Sequence, residues 1–186
     1  MTNKFAASVN IELAQDEQLA RIPAIELGAA TMFPAEDLPD HIRYRVTDAR
    51  TLQEAKDESR LWVAINGNAK VVGFALVDVV DEFAHLDELN VLPDYGCHGI
   101  GTKLVQTACR WARRKGFPGL SLVTFRHLPW NAPFYEKLGF VELNQVELGA
   151  GLAGLLAAEA KAGIEIRKRI GMIMRFEDQH GIQVHA

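Results

Sequence analysis

Two hydrophobic periods divide the chain. Period two marks Val9-Asn10-Ile11-Glu12-Leu13 as a first strand. Asp16 is the predicted N-cap of the helix that follows, with Leu19, Ile22, Ile25 and Ala29 on its apolar face and Pro23 in its first turn or kinking it. Met32-Phe33-Pro34 opens a connection, and Asp48 with Glu54 marks a weaker helix to about Ser59. Leu61 to Ile65 and Val71 to Val80 are β-branched runs joined by Asn66-Gly67-Asn68, hence an antiparallel hairpin. After Asp81-Glu82, Ala84 to Val91 continues the meander. Period 3.6 returns from Gly99 to Lys115, with Ile100, Leu104, Val105, Ala108, Trp111 and Ala112 on one stripe. Leu120 to Thr124 is the next strand, reached through a helix and therefore expected parallel to Ala84 to Val91. Asn131 caps a short helix to Leu138, with Pro133 in its first turn and Gly139 ending it. Val141 to Val146 reads as a sixth strand, Leu152, Leu155 and Leu156 as a helix ending near Gly163, and Arg169 to Phe176 as a last strand pairing with the sixth. The sum is a single α/β (α+β) domain over residues 1–176. It holds a mixed, mostly antiparallel twisted sheet of about seven strands, a parallel central pair and flanking helices, followed by a mobile tail over 177–186.

Composition narrows the function classes. A chain of 186 residues with 48% apolar and 24% charged side chains can bury a core, roughly 70% of its unfolded surface. A net charge of −4 argues against a nucleic-acid partner. Cys97 and Cys109 are too few for a disulfide framework and read as free thiols in a reducing compartment. Lys4, Glu12, Asp16 and Glu17 interrupt any signal-peptide pattern, and the longest apolar run, Ala150 to Ala158, is too short for a membrane span. The expectation is a cytoplasmic protein with no membrane partner. The six histidines lack metal-ligand spacing, so no metal is expected.

The most informative stretch runs from Leu86 to Gly116. Leu86-Asp87-Glu88-Leu89-Asn90-Val91-Leu92-Pro93 enters Asp94-Tyr95-Gly96-Cys97-His98-Gly99-Ile100-Gly101 and then a helix, gathering unpaired backbone N–H groups at one point. Its G-x-x-G-x-G spacing is neither that of a dinucleotide fold nor that of a P-loop, and Thr124-Phe125-Arg126 stands where a dinucleotide fold wants an acid. Here the chain resembles the GNAT superfamily of acyl-CoA-dependent N-acetyltransferases, whose motif [QR]-x-x-G-x-[GA] opens a helix after a strand. Asn131-Ala132-Pro133-Phe134-Tyr135-Glu136-Lys137-Leu138-Gly139-Phe140 is similar to the family's second signature. Gly96 departs from the pattern, standing where the family has Gln or Arg.

The resemblance implies acetyl transfer from acetyl-CoA to a small-molecule amine or a peptide amino group, by direct attack in a ternary complex. A silent acyl-CoA sensor is the alternative. It implies a pyrophosphate held on the backbone of Cys97, His98, Gly99, Ile100, Gly101 and Thr102, and a carbonyl-polarising backbone N–H near Asn90 or Val91. Tyr135 matches the tyrosine that protonates the leaving thiolate, and Glu88 or Asp87 stands where a base is often found. Alternation puts Glu88 and Asn90 opposite Leu89 and Val91, which favours Glu88; a solvated acidic pair is the competing reading. Asn131 is a helix cap or a contact to the CoA arm, and Arg110, Arg113, Arg114 and Lys115 are a solvated face or a 3′-phosphate contact. Glu26, Met32, Phe33, Phe125, Arg126, His127 and Trp130 are candidates for the acceptor side, covered by the Leu152 helix. Homodimerisation, common in the family, would use that helix and the last strand.

Overall fold

In the computed structural model, which describes residues 9–177, seven strands form one sheet in the order β1-β2-β3-β4-β5-β7-β6. They are β1 (Asn10–Leu13), β2 (Leu61–Ile65), β3 (Val71–Val80), β4 (Phe83–Val91), β5 (Gly119–Phe125), β6 (Val141–Glu142) and β7 (Arg169–Arg175). All pairs are antiparallel except β4 with β5. The tail expected over 177–186 lies, after its first residue, outside the described residues. No helix among these residues is long and apolar enough to cross a membrane.

Two cores hold the sheet's faces. The stripe predicted on α5 (Ile100–Arg114) is buried throughout and packs with Trp62, Ala75, Val77, Leu86 and Leu122. The opposite face carries α1 (Asp16–Leu19), α2 (Ile22–Ala30) and α4 (Ala49–Asp57), whose Ile22, Ile25, Leu52 and Ala55 cover Val63, Phe74 and Leu76. Further along that face lie α3 (Asp40–Arg43), unforeseen in the sequence, and α7 (Ala150–Lys161). The short α6 (Ala132–Lys137) brings Tyr135 into the α5-side core.

Several boundaries differ from expectation. The first helix is two, because Pro23 starts a new one; Asp16 pairs with Lys56 instead of capping, and Gln18 accepts from the Gln15 N–H at 2.8 Å. Asp48 does cap α4, accepting from the N–H groups of Arg50 and Thr51 at 3.0 Å. Asn131 does not cap α6 with its side chain; its backbone carbonyl accepts from Phe134 and Tyr135. The sixth strand stops at Glu142 because the Asn144 side chain accepts from Val146 and Glu147, turning the chain and leaving Val146 exposed. The last strand is interior, flanked by β5 and β6, so Met172 and Ile173 are paired on both sides.

The β3–β4 turn anchors α7. Asp81 and Glu82 both have positive φ, 49° and 66°, a conformation that favours glycine. The Asp81 carboxylate accepts from the N–H groups of Gly151 and Leu152 at 2.7 and 2.9 Å, capping α7 from another element. A Cβ at Gly149 or Gly151 would overlap Asp81, so the close approach requires those glycines.

Candidate active site

At the head of α5 the backbone turns through two left-handed residues, Cys97 at φ 59° and Gly99 at φ 75°, with Gly99 as the N-cap. Alternating handedness of this kind turns successive N–H groups toward one point, and the helix start adds partial positive charge. Nothing lies within 4 Å of where a Cβ on Gly99 would sit, so its glycine answers to φ alone. Gly101 is different: a Cβ there would meet the Phe134 ring at 3.3 Å, so this glycine lets α6 pack on α5. Ile100 is core, Cys97 is exposed, and His98 Nδ1 is bonded to the Gly96 carbonyl.

Beside this turn the sheet opens. β4 and β5 register only through Ala84↔Leu120 and His85↔Ser121, and beyond them the β4 edge from Leu86 to Val91 has no β5 partner among the described residues. A cavity of about 510 Å³ lies at the gap, lined by Leu86, Leu122 and Tyr135 of the α5-side core and by Glu26 of α2. Asp87, Glu88, Asn90, Asn131 and Tyr135 all line it. A bulge makes this possible. Leu76 pairs with Glu88 but Val77 with Leu86, so Asp87 is an extra residue in β4. Ala84 and Leu86 face α5 before the bulge, Leu89 and Val91 after it. His85, Glu88 and Asn90 therefore share the cavity side, a grouping strict alternation would not make.

Charges in the cavity are few and mostly committed. Glu88 is half-buried and accepts from Asn90 Nδ2 at 2.7 Å; burial, then the nearby Asp87 and Glu26 carboxylates, push its carboxyl up to about 8. Asp87 is raised by desolvation in the cleft and then by Asp78. On α2 the buried Glu26 accepts from the Thr47 N–H at 3.1 Å and its hydroxyl, yet burial keeps its carboxyl above the usual range. The Tyr135 phenol is buried and has no hydrogen-bond partner among the described residues; burial, then the Glu88 charge, raise it, so it stays protonated at neutral pH. Asn131 Nδ2 donates to Thr124 Oγ1 at 2.7 Å, while its buried Oδ1 has no partner.

Among the acceptor-side candidates, Glu26, Phe33 and Phe125 line the cavity, and α7 covers it with Leu155, Ala158 and Glu159. Arg126 instead pairs with Glu142 at 2.6 Å, His127 with the buried Asp37 at 2.9 Å, Trp130 packs edge-on to Phe33, and Met32 is not in the wall. The basic run on α5 is at the helix's far end, where Arg113 lies 4.2 Å over the Phe176 ring and Arg110 donates to Thr107. Ten or more residues at about 1.5 Å each separate these arginines from Gly99. Sequence reasoning missed His85, Arg43, Thr47 and Arg169, all in the wall. Only His85 carried a signal, as a polar residue inside the strand already assigned the base.

Comparisons with known proteins bear on the family and the fold. The acetyltransferase (GNAT) family model matches residues 26–140. A curated relative, the peptidyl-lysine N-acetyltransferase YjaB of Salmonella typhimurium, is 32% identical over 97 residues, 52% of this chain. The match spans 61% of that relative's length. Rv2747 from Mycobacterium tuberculosis, solved in complex with CoA, superposes with a TM-score of 0.67 at 20% identity, covering 90% of this chain and 99% of that one. The N-acetylglutamate synthase of Neisseria gonorrhoeae, solved with coenzyme A and N-acetyl-glutamate, gives 0.69 at 16% identity, covering 92% of this chain and 36% of that one. At these identities the two structures establish the fold.

Proposed function

The chain belongs to the acetyltransferase (GNAT) family, and we propose that it transfers an acetyl group from acetyl-CoA to the nitrogen of a small amine or a peptide amino group, by direct attack in a ternary complex. One observation carries this reading: a single cavity at the parted strands brings a raised carboxyl, Glu88, and a protonated phenol, Tyr135, into one space, and the strand that carries Glu88 leads into a left-handed turn at a helix start, a geometry suited to phosphate. A protein that only sensed acyl-CoA would need the turn alone.

The residues present fit the co-substrate. The N–H groups from Cys97 to Thr102 suit a pyrophosphate, and the unpartnered Oδ1 of Asn131 suits an amide N–H of the pantetheine arm. Acetyl-CoA supplies the activated acetyl thioester. Glu88, once ionised, takes the surplus proton of the attacking amine, whose own pKa near 10.4 otherwise keeps it charged. As the C–N bond forms and the C–S bond breaks, the Tyr135 phenol donates a hydrogen bond and proton toward sulfur. The unpaired edge of β4 near Asn90 and Val91 offers backbone N–H to the carbonyl oxygen. The relative that modifies peptidyl lysine and the neighbour bound to an acetylated amino acid are consistent with an amine acceptor. We place the protein in the reducing cytoplasm, where Cys97 and Cys109 remain thiols, and take a homodimer as the assembly to test by sedimentation.

The test is thiol release from acetyl-CoA over a panel of amines. Turnover that depends on the amine is expected; CoA binding with no turnover for any amine or lysine peptide would leave the sensor as the correct reading.

A further inference from the structure

His85 has no part in the chemistry above, yet it is built into the wall of the same cavity and only 3% exposed. It is in the last pair before β4 and β5 diverge, opposite Ser121. Its Nδ1 lies 3.0 Å from Ser121 Oγ, and that hydroxyl donates to the Ala84 carbonyl at 3.3 Å. We assign the Ser121 proton to that carbonyl, which makes the hydroxyl oxygen an acceptor, puts the imidazole hydrogen on Nδ1 and leaves a lone pair on Nε2. Nε2 has no partner among the described residues. Burial holds the ring neutral, with a pKa near 4, so the lone pair persists at working pH.

Several of the acidic groups that share the cavity with it lack basic hydrogen-bond partners. Glu88, Asp87 and Glu26 line the same cavity, and none accepts a hydrogen bond from a lysine or arginine among the described residues. The arginines of the wall are occupied. Arg43 donates to the carbonyls of Ala30, Phe33, Pro34 and Leu38, and Arg169 to Glu159 while stacking on Phe125. Only Arg45, exposed at the rim, is uncommitted. Apart from the Tyr135 hydroxyl, already given to the leaving thiolate, the uncommitted polar side-chain groups of this inner wall are acceptors and suit a group that donates.

We propose that this wall selects a primary amine with no carboxylate on the carbon bearing the reacting nitrogen, and that His85 Nε2 is, with Glu88, one of two acceptors orienting that nitrogen. The inference rests on the acetyltransferase reading for the identity of the site. An α-amino acid would set its carboxylate against Glu88 and Asp87, with Arg43 and Arg169 turned elsewhere and Arg45 left to solvent. An alkylamine, a diamine or a lysine side chain meets no such opposition.

Three matched amines test this: n-pentylamine, norleucine, which adds a carboxylate at the reacting carbon, and norleucinamide, which keeps the branch without the charge. Binding to the CoA-loaded protein is measured by calorimetry, and turnover alongside it. Pentylamine and norleucinamide should both exceed norleucine about tenfold or more in affinity and in kcat/KM. Norleucine within threefold of pentylamine, on the order of experimental scatter for such comparisons, would overturn the proposal. His85→Leu should raise KM for pentylamine about tenfold with CoA affinity kept, while His85→Gln, which retains an acceptor oxygen, loses less. Equal KM in wild type and His85→Leu, together with no amine preference, would also refute it. Absence of turnover for every amine would count against the acetyltransferase reading, and the calorimetric preference would still decide this one.

Discussion

The two sides of the parted sheet are made in opposite ways. The α5 side works through backbone: Cys97 and Gly99 are left-handed, the helix start supplies N–H groups, and the side chains there can vary, as Gly96 does. The acceptor side works through side chains gathered from α2, β4, β5 and β7, with Glu26, His85, Glu88, Phe125 and Arg169 meeting only in the folded state. A ligand common to a whole family can be held by local geometry that any sequence of the right conformation provides. A ligand that differs between members has to be read by side chains brought from a distance.

The contrast predicts which property each substitution moves. Glu88→Gln should have the largest effect, lowering turnover about a hundredfold or more while CoA affinity stays within twofold, because the base is lost and the turn is untouched. In wild type, kcat/KM should climb as pH rises through about 8, where Glu88 ionises, and this limb should vanish in the variant. Stability carries the same signature with a fixed sign. Folding raises the Glu88 pKa from 4.5 to about 8, so the folded state holds an extra proton between these values and stability falls as pH rises across that window. Melting curves of Glu88→Gln should lack that decline; an unchanged pH dependence of Tm would show Glu88 to be solvated.

Tyr135→Phe should come next, at about ten- to a hundredfold in kcat with KM for the amine little altered. Loss of under twofold would make Tyr135 a packing residue. Gly99→Val probes the backbone side, since a β-branched residue at φ 75° costs about 1–3 kcal/mol with no collision to confuse the result. Titration should show CoA binding weakened about tenfold or more, with the amine preference unchanged. The smallest effect is expected from Asp81→Ala, which removes the cap of α7, about 1 kcal/mol. Tm should fall by roughly 2–4 °C, and KM for the amine should rise while CoA affinity holds. Asp81→Asn keeps an acceptor oxygen and should lose less.

The difference between the two sides also governs what could be read from sequence. The α5 stripe, the hairpin at Asn66 and the glycine turn are local patterns, and each forms where its period or spacing puts it. Two families of contact escaped. The splitting of the first helix at Pro23 and the arrest of β6 at Asn144, whose side chain accepts from two N–H groups, are local choices that compete with a longer element. The cavity wall depends on tertiary position: Arg43 and Thr47 lie in a connection with no period, and Arg169 begins a strand read only for its pairing with the sixth. Asp87 and Glu88 are both acids in a run of mixed polarity, so the extra residue between two registers left no mark on the hydrophobic pattern.

That extra residue shapes the strand. Residues on either side of Asp87 in β4 keep their register with β3 because the bulge absorbs one residue. Deleting Asp87 would let the strand alternate without interruption, Leu86 and Leu89 toward α5 and Glu88 and Asn90 toward the cavity, in the same register with β3. What would go is the local bend and added twist that an extra residue gives a strand, close to the point where β4 leaves β5. Substitution at the cavity positions would change the lining of the gap, whereas removal of the extra residue would change the shape of the gap itself.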